Sequence, residues 1–263
     1  MRLTTKIVLG GILSIFIGTI IFIVALSFTD GKSFEGSILK LDQKNSSSID
    51  VAPYHAVKLD IANPDARMSV MPQGVISFKR LVSEDKKDKL FMSSELKKYT
   101  IVKVMNDTLF VTIDWQKMKS YFTKGEMRIV SGVNYTVYSD NVDFINLVPT
   151  ITTEINGLNA QFIRVSSLGD VKIGSCTADK LESARGNLQL NNSKLKQLNL
   201  DLDEIYNWEV KDCEIGEENL SGSKTHYVKT PRSETKALNW YPKNKDARLN
   251  IELSADSARL VFK

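Results

Sequence analysis

Three stretches in the second half of the chain repeat one another, and this repetition limits the accessible folds more than any other feature. Ile173 to Leu181 reads IGSCTADKL, Leu190 to Leu198 reads LNNSKLKQL, and Val210 to Gly216 reads VKDCEIG before reaching its leucine late, at Leu220. Each copy has an apolar strand end, two small or polar residues, a cysteine or serine, a polar stretch and a leucine. The apolar pairs ahead of each copy also align: Val171 and Ile173, Leu188 and Leu190, Trp208 and Val210. Cys176, Ser193 and Cys213 mark intervals of 17 and then 20 residues, too short for a helical hairpin and suited to one turn of a β-solenoid. So short a turn cannot bury its apolar face alone. Stacking does so, with strands about 4.8 Å apart and backbone hydrogen bonds between turns. A leucine-rich repeat is the competing reading of LQLNNSKLKQLNLDL, but its L-x-x-L-x-L-x-x-N frame does not recur in the other copies.

Ahead of the repeats the apolar period is two, the period of strands. Val57, Leu59 and Ile61 alternate with Lys58 and Asp60; Ile101 to Met105 and Leu109 to Ile113 flank Asn106-Asp107, the turn chemistry of a hairpin; Val133 to Tyr138 and Val142 to Leu147 flank Ser139-Asp140-Asn141. Only Asp85 to Lys98 and Trp115 to Phe122 could hold short helices. The fold class is therefore all-β, with solenoid repeats at about 151–221 in a β-rich domain spanning 51–263. After Gly222 the repeat dissolves into a polar segment with Pro231 and Pro242, which reads as a non-repeating cap at 222–263 closing the last edge of the stack.

The N-terminus has a different character. Ile7 to Phe28 carries no charge, and a helix of that length rises about 33 Å, enough for a hydrocarbon core of about 30 Å. Arg2 and Lys6 precede the run, whereas Asp30, Lys32 and Glu35 follow it, which keeps the N-terminus cytoplasmic. Residues 1–29 thus read as a cytoplasmic stub and transmembrane signal-anchor that makes the lipid bilayer a partner through Ile7 to Phe28. Residues 30–50, with Gly31, Gly36 and Lys44 to Ser48, read as a flexible stalk. Cleavage after Ala25-Leu26-Ser27 is the competing outcome, although an ordinary signal-peptide core is shorter, about 7 to 15 residues. Both outcomes export the domain.

Lys and Arg total 35 against 31 Asp and Glu, a net charge of +4. The segment EDKKDK at Glu84 to Lys89 alternates sign, so no cationic stripe marks a nucleic-acid surface. Two cysteines do not make a disulfide-stapled miniprotein. They occupy the same repeat position with Ser193 between them, which separates them by two turns, about 9.6 Å. A disulfide needs α-carbons within about 6.8 Å, so both are expected as free thiols filling the interior.

Catalytic and metal-binding patterns are sparse. His55 and His226 stand far apart in the sequence, with no ligand spacing around them, whereas zinc needs three or four ligands. Asp201 and Asp203 share a strand face with Glu204 beside them, which could begin a calcium site or a carboxylate pair; Leu198, Leu200 and Leu202 take the opposite parity, so alternation explains the acids as a solvent face. The remaining polar candidates, Arg164, Asp170, Asp179 and Arg185, do not fall at one repeat position. There is no calcium-roll nonapeptide, P-loop, Rossmann turn or Gly-x-Ser-x-Gly, so no cofactor, metal or catalytic residue is expected. Contact residues are sought among aromatics instead. Trp208 sits at an inward repeat position, whereas Trp240 and Tyr241, followed by Pro242, read as an irregular loop and are the candidate partner contact.

The order of these segments resembles that of the exported β-solenoid domains of Bacteroidetes described as autotransporter-adhesin head domains, or GIN domains. The likeness runs from about Val51 to Leu220. It comprises the opening strand Tyr54 to Ile61, the strand-turn-strand VKVMNDTLFVTI at Val102 to Ile113, VNYTVYSDNVDFINL at Val133 to Leu147, and then the repeats. The chain departs from that pattern in its few repeat glycines, the charged insertion near Glu84 and the long tail after Gly222. The family has no agreed catalytic residues to carry over. Taken with the anchor, the resemblance implies a single-pass protein of the bacterial inner membrane with its C-terminal domain in the periplasm, or a cleaved and secreted form. Its implied role is a non-catalytic structural or recognition domain exposed in the envelope, in adhesion or in binding a protein or glycan partner. A periplasmic sensor or assembly subunit and a glycan-active β-helix enzyme are the alternatives.

Overall fold

The computed structural model describes residues 16–20, 37–62, 69–122, 127–139, 142–147, 151–230 and 235–253. They form an all-β chain. Helix among them is confined to residues 16–20, Ser94–Lys97 and Trp115–Met118, with 3-10 turns at Glu84–Lys86 and Lys119–Tyr121. The segment Trp115 to Phe122 is helical as its pattern predicts. Asp85 to Lys98 is instead interrupted by the strand Lys89–Ser93, whose Leu90 and Met92 alternate inward.

Each repeat gives one strand to each of two parallel ladders. Thr152–Asn156, Asp170–Gly174, Gly186–Asn191 and Ile205–Lys211 stack at one end of an eight-stranded sheet. Asn159–Ser167, Thr177–Ala184, Lys194–Asp201 and Glu214–Gly222 stack in a nine-stranded sheet. The predicted register holds, with Val171 beside Leu188 and Leu188 beside Trp208, and with Ile173 beside Leu190 and Leu190 beside Val210. A left-handed residue links the two strands of each repeat: Gly157, Ser175, Asn192 and Asp212 have φ of 72°, 52°, 46° and 53°. Glycine, asparagine and aspartate tolerate that conformation best, which is why small polar residues recur there.

The next residue in each copy is Leu158, Cys176, Ser193 or Cys213, and all four are buried. The Cys176 N–H donates to Ser193 Oγ at 3.1 Å, and the Ser193 N–H donates to Cys213 Sγ at 3.4 Å. The serine therefore lies between the two cysteines, and both thiols are free. Inward leucines such as Leu181, Leu188, Leu190 and Leu198 are closed to solvent, and each such burial stabilises by about 1.5–3 kcal/mol.

Several expectations are corrected. No closed solenoid is found: the left-handed corner passes the chain between two separate sheets. Both sheets also end in antiparallel pairs formed by the first half of the chain, Ser46–Asp50 with Lys89–Ser93 and Thr100–Met105 with Thr108–Asp114. The stalk reading fails for residues 38–50. Ile38–Lys40 pairs with Met127–Ser131, Ser46–Asp50 forms a sheet edge, and Leu41 is buried. The serines there are polar because an edge strand is half-solvated.

The tail does not simply cap the stack. Thr235–Pro242 adds a further strand to the nine-stranded sheet in the same parallel register, and Thr225–Thr230 pairs with Arg248–Leu253.

The single-pass anchor and inner-membrane location are corrected too, because no helix among the described residues is long and apolar enough to cross a membrane. Within Ile7 to Phe28 only residues 16–20, which are helical, are described. The rest of that run lies outside the described residues. The bilayer loses its support as a partner with it.

Candidate functional site

Trp240 and Tyr241 belong to the strand Thr235–Pro242, not to a loop. Trp240 pairs with Leu220 and Tyr241 with Ser221. Successive residues of a strand face opposite ways, so the two aromatics separate. Trp240 packs against the core, its ring 6.2 Å from that of His226. Gly222 fits beneath them because a Cβ there would lie 2.5 Å from His226 Nε2 and 3.0 Å from the Trp240 ring. Tyr241 is 55% exposed. Only one member of the predicted contact pair is therefore available to a partner.

Tyr241 stands at the end of a groove of about 430 Å³ on the outer surface of the nine-stranded sheet, lined also by Arg164, Glu182, Asn199, Asp201, Asn219 and Ser221. Stacking creates its floor. Arg164, Glu182, Asn199, Asn219 and Asn239 occupy one outward position on successive turns. The amide of Asn239 donates to Asn219 at 2.9 Å, and that of Asn219 to Asn199 at 2.8 Å. Arg164 Nε donates to Glu182 Oε2 at 2.7 Å, and Lys180 pairs with the other oxygen. Partial burial works against ionisation of Glu182, but the hydrogen bonds from Lys180 and Arg164 outweigh it and hold the carboxyl below its usual range.

Beside the groove the predicted acid pair Asp201 and Asp203 is joined by partners that the sequence does not announce. Asp203 accepts the Ser223 N–H at 2.8 Å and meets His226 Nε2 at 3.1 Å. Lys243 Nζ lies 2.6 Å from Asp201 and 3.0 Å from Asp203. Desolvation opposes the charge on Asp203, yet the Ser223 backbone, Lys243 and His226 together hold its carboxyl far below the ordinary value. The hydrogen bond to Asp201, reinforced by Asp203, raises the Lys243 ammonium. The two aspartates thus already enclose a cation, supplied by the chain itself.

The other polar candidates scatter. Asp170 accepts from Asn187, Asp179 pairs with Lys196, and Arg185 pairs with Glu204. His55 is exposed and paired with Asp107 at 2.7 Å. Among the described residues no group of three or more His, Cys, Asp or Glu side chains could hold a metal ion. Arg164 and Asp201 do share one face, in the groove.

Glu218 is fully buried, which sequence reasoning missed. The sequence places the leucine of this copy late, at Leu220, but Leu220 pairs with Leu200 and it is Glu218 that takes the position of Leu198. Oε1 accepts from the Trp208 indole at 3.2 Å and Oε2 from the Thr235 hydroxyl at 3.3 Å. The second interval of 20 residues, applied to Leu198, was the available signal. Applied to Asn199 twice, the same interval reaches Asn219 and Asn239.

No family model matches the chain, and no curated protein does. Among solved structures, it is similar to a "putative adhesin" of Bacteroides fragilis at 14% identity, covering 81% of this chain and 96% of that one with a TM-score of 0.46. A "putative lipid binding protein" of Parabacteroides distasonis matches at 11% identity over 83% and 98% of the two chains, with a TM-score of 0.43. A "putative adhesin" of Parabacteroides merdae matches at 9% identity over 82% and 99%, with a TM-score of 0.37. Likenesses of this strength carry no argument about ligand or activity.

Proposed function

We propose that this chain is a non-catalytic recognition domain that uses the outer groove of the nine-stranded sheet to bind an extended, hydroxyl-rich partner, a glycan in the first instance. The observation that carries the reading is the in-register column of amides ending beside an exposed tyrosine. Amides can exchange hydrogen bonds with hydroxyls, and an aromatic face covers the apolar side of a sugar ring without needing charge. The repeat stack acts as a rigid solenoid-like scaffold holding these groups at the strand spacing.

The state of the acids favours binding over catalysis. Asp201 and Asp203 are held by Lys243, and Glu182 by Arg164 and Lys180. A general acid needs a raised pKa, whereas Asp203 and Glu182 are shifted down.

A glycan array probed with the full chain tests the proposal. Retention of at least one polymer is expected, weakened about tenfold or more by Tyr241→Ala, the order of loss seen when a contact aromatic is truncated. Unchanged retention in a variant with unchanged melting would refute the groove. Release of product abolished by Asp201→Asn would refute the non-catalytic reading.

A further inference from the structure

In the first half of the chain a charged side chain occupies an inward position, with no ion pair to it among the described residues. Arg128 lies in the strand Met127–Ser131, paired with Val70 on one side and flanked by the strand Ile38–Lys40 on the other. Only 5% of its surface is exposed. Its guanidinium carbon sits 5.3 Å from the Trp115 ring centre and 5.5 Å from that of Phe122, and the two rings pack 5.2 Å apart. Trp115 is wholly buried. Neither Nε nor Nη1 of Arg128 has a hydrogen-bond acceptor, and neither does the indole Nε1 of Trp115.

These groups have one chemistry in common. All are N–H donors, they lie within one aromatic cluster, and the only formal charge among them is positive. A buried donor without an acceptor is destabilising, and a buried cation without a partner more so. Contact with two ring faces offsets part of this through the cation–π attraction but satisfies no N–H. Glu218 shows how the same chain treats a buried polar side chain: Oε1 accepts from Trp208 of its own repeat and Oε2 from Thr235 of the next strand.

We infer that Arg128 and Trp115 form a binding site for a compact oxyanion, a carboxylate or phosphate, which accepts hydrogen bonds from the guanidinium and the indole together. The anion supplies both the missing charge and the missing acceptors. Since Arg128 Nε and Nη1 and the Trp115 indole Nε1 are closed to solvent in this structure, entry requires the packing around them to open. This site is separate from the groove at Tyr241: Arg128 lies on the central strand of the three-stranded sheet formed by Ile38–Lys40, Met127–Ser131 and Ser69–Gln73, and Trp115 on the short helix Trp115–Met118.

The test uses the full chain in thermal melting and isothermal titration with potassium phosphate and with potassium acetate. Potassium chloride at matched ionic strength is the control. An anion that binds the folded state alone raises the melting temperature with a saturable concentration dependence. Phosphate or acetate should do so beyond chloride, and comparing the two tells which oxyanion geometry fits. Arg128→Lys keeps the charge but not the guanidinium donors and should weaken binding about tenfold or more, whereas Arg128→Met should abolish it. If Arg128→Met fails to fold, the comparison with Arg128→Lys decides alone. An equal response in the wild type and Arg128→Lys, or no saturable response of the wild type to either anion, overturns the site.

Discussion

The two halves of this chain build the same pair of sheets by different means. In 151–242, strands that bond to each other lie about one repeat apart in sequence, and almost every register can be found by sliding the chain along itself. In 37–147 the neighbours are remote and mixed in direction: Val75–Lys79 pairs with Tyr135–Tyr138 in parallel, and Ser46–Asp50 with Lys89–Ser93 in antiparallel fashion. Repetition also makes polar groups serve one another. Asparagines stack on asparagines, and Glu218 accepts from Trp208 of its own repeat and from Thr235 of the next strand, whereas Arg128 in the non-repeating half meets aromatic faces. A repeat supplies each position with a matching neighbour above and below; a non-repeating half must find every partner separately.

The largest expected effect comes from breaking the repeat core. Leu190 is fully buried between Ile173 and Val210, so Leu190→Asp places an unpaired charge where the structure has no polar partner for it. The cost should exceed about 4 kcal/mol and prevent folding. Circular dichroism and hydrogen exchange check it. Exchange protection lost across 151–242 but retained in 37–147 would show that the halves fold as separate units. A native-like, equally stable variant would mean that the inward parity is misassigned.

Next in size is the buried Glu218 side chain. Glu218→Ala leaves the Trp208 indole and the Thr235 hydroxyl without their acceptor, and should cost about 2–4 kcal/mol in urea denaturation. Glu218→Gln should cost less than half as much, since its carbonyl can still accept from Trp208 and the Thr235 hydroxyl can turn to accept from the amide. Equal losses in the two variants would mean that charge, not hydrogen bonding, holds this position.

The difference between the halves also explains what could be read from sequence. Period-two alternation, the Asn106-Asp107 turn and the repeat register were legible because each depends on neighbours close in sequence or one interval away. Asn106 and Asp107 do adopt φ of 48° and 60°, as such a hairpin requires. The strand Ser46–Asp50 was not legible, because an edge strand with half its face in water has the composition of a linker. Nor was the strand at Trp240. Its flanking prolines and charges suggested a loop, while its pairing is fixed by the turn beneath it. The Asp203, His226 and Lys243 cluster brings together residues up to 40 positions apart, and Arg128 looks in sequence like any surface cation of a strand.

That cluster gives a pH prediction. Hydrogen bonds hold the Asp203 carboxyl well below its unfolded value, near 3.9 for a free aspartate. A depressed carboxyl stabilises the fold fully above its unfolded pKa, and that contribution is lost as pH falls through the folded value. The stability gap between wild type and Asp203→Asn should therefore be constant from pH 7 to about 5 and close progressively below about pH 4. A gap that stays constant from pH 7 down to about pH 2 would mean that the charge on Asp203 does not stabilise the cluster.

The smallest effect sharpens the account of the repeat itself. Among the four corners, Gly157, Asn192 and Asp212 are residue types that tolerate the left-handed conformation, while Ser175 is not and still adopts φ of 52°. Its Oγ accepts from the Asn192 amide at 3.2 Å, so a replacement should keep an acceptor while lowering the backbone cost. Ser175→Asn does both, because the asparagine side chain favours this region and carries a carbonyl at its tip. A gain of about 0.5 kcal/mol is expected, seen as a higher urea midpoint with an unchanged slope. Ser175→Gly separates the two contributions: it frees the backbone but removes the acceptor, and should change stability by less than the asparagine variant does. If glycine gains as much as asparagine, the corner is governed by backbone conformation alone. If both lose, the serine hydroxyl is what fixes the turn, and the recurrence of small polar residues at this position reflects hydrogen bonding between turns, not tolerance of positive φ.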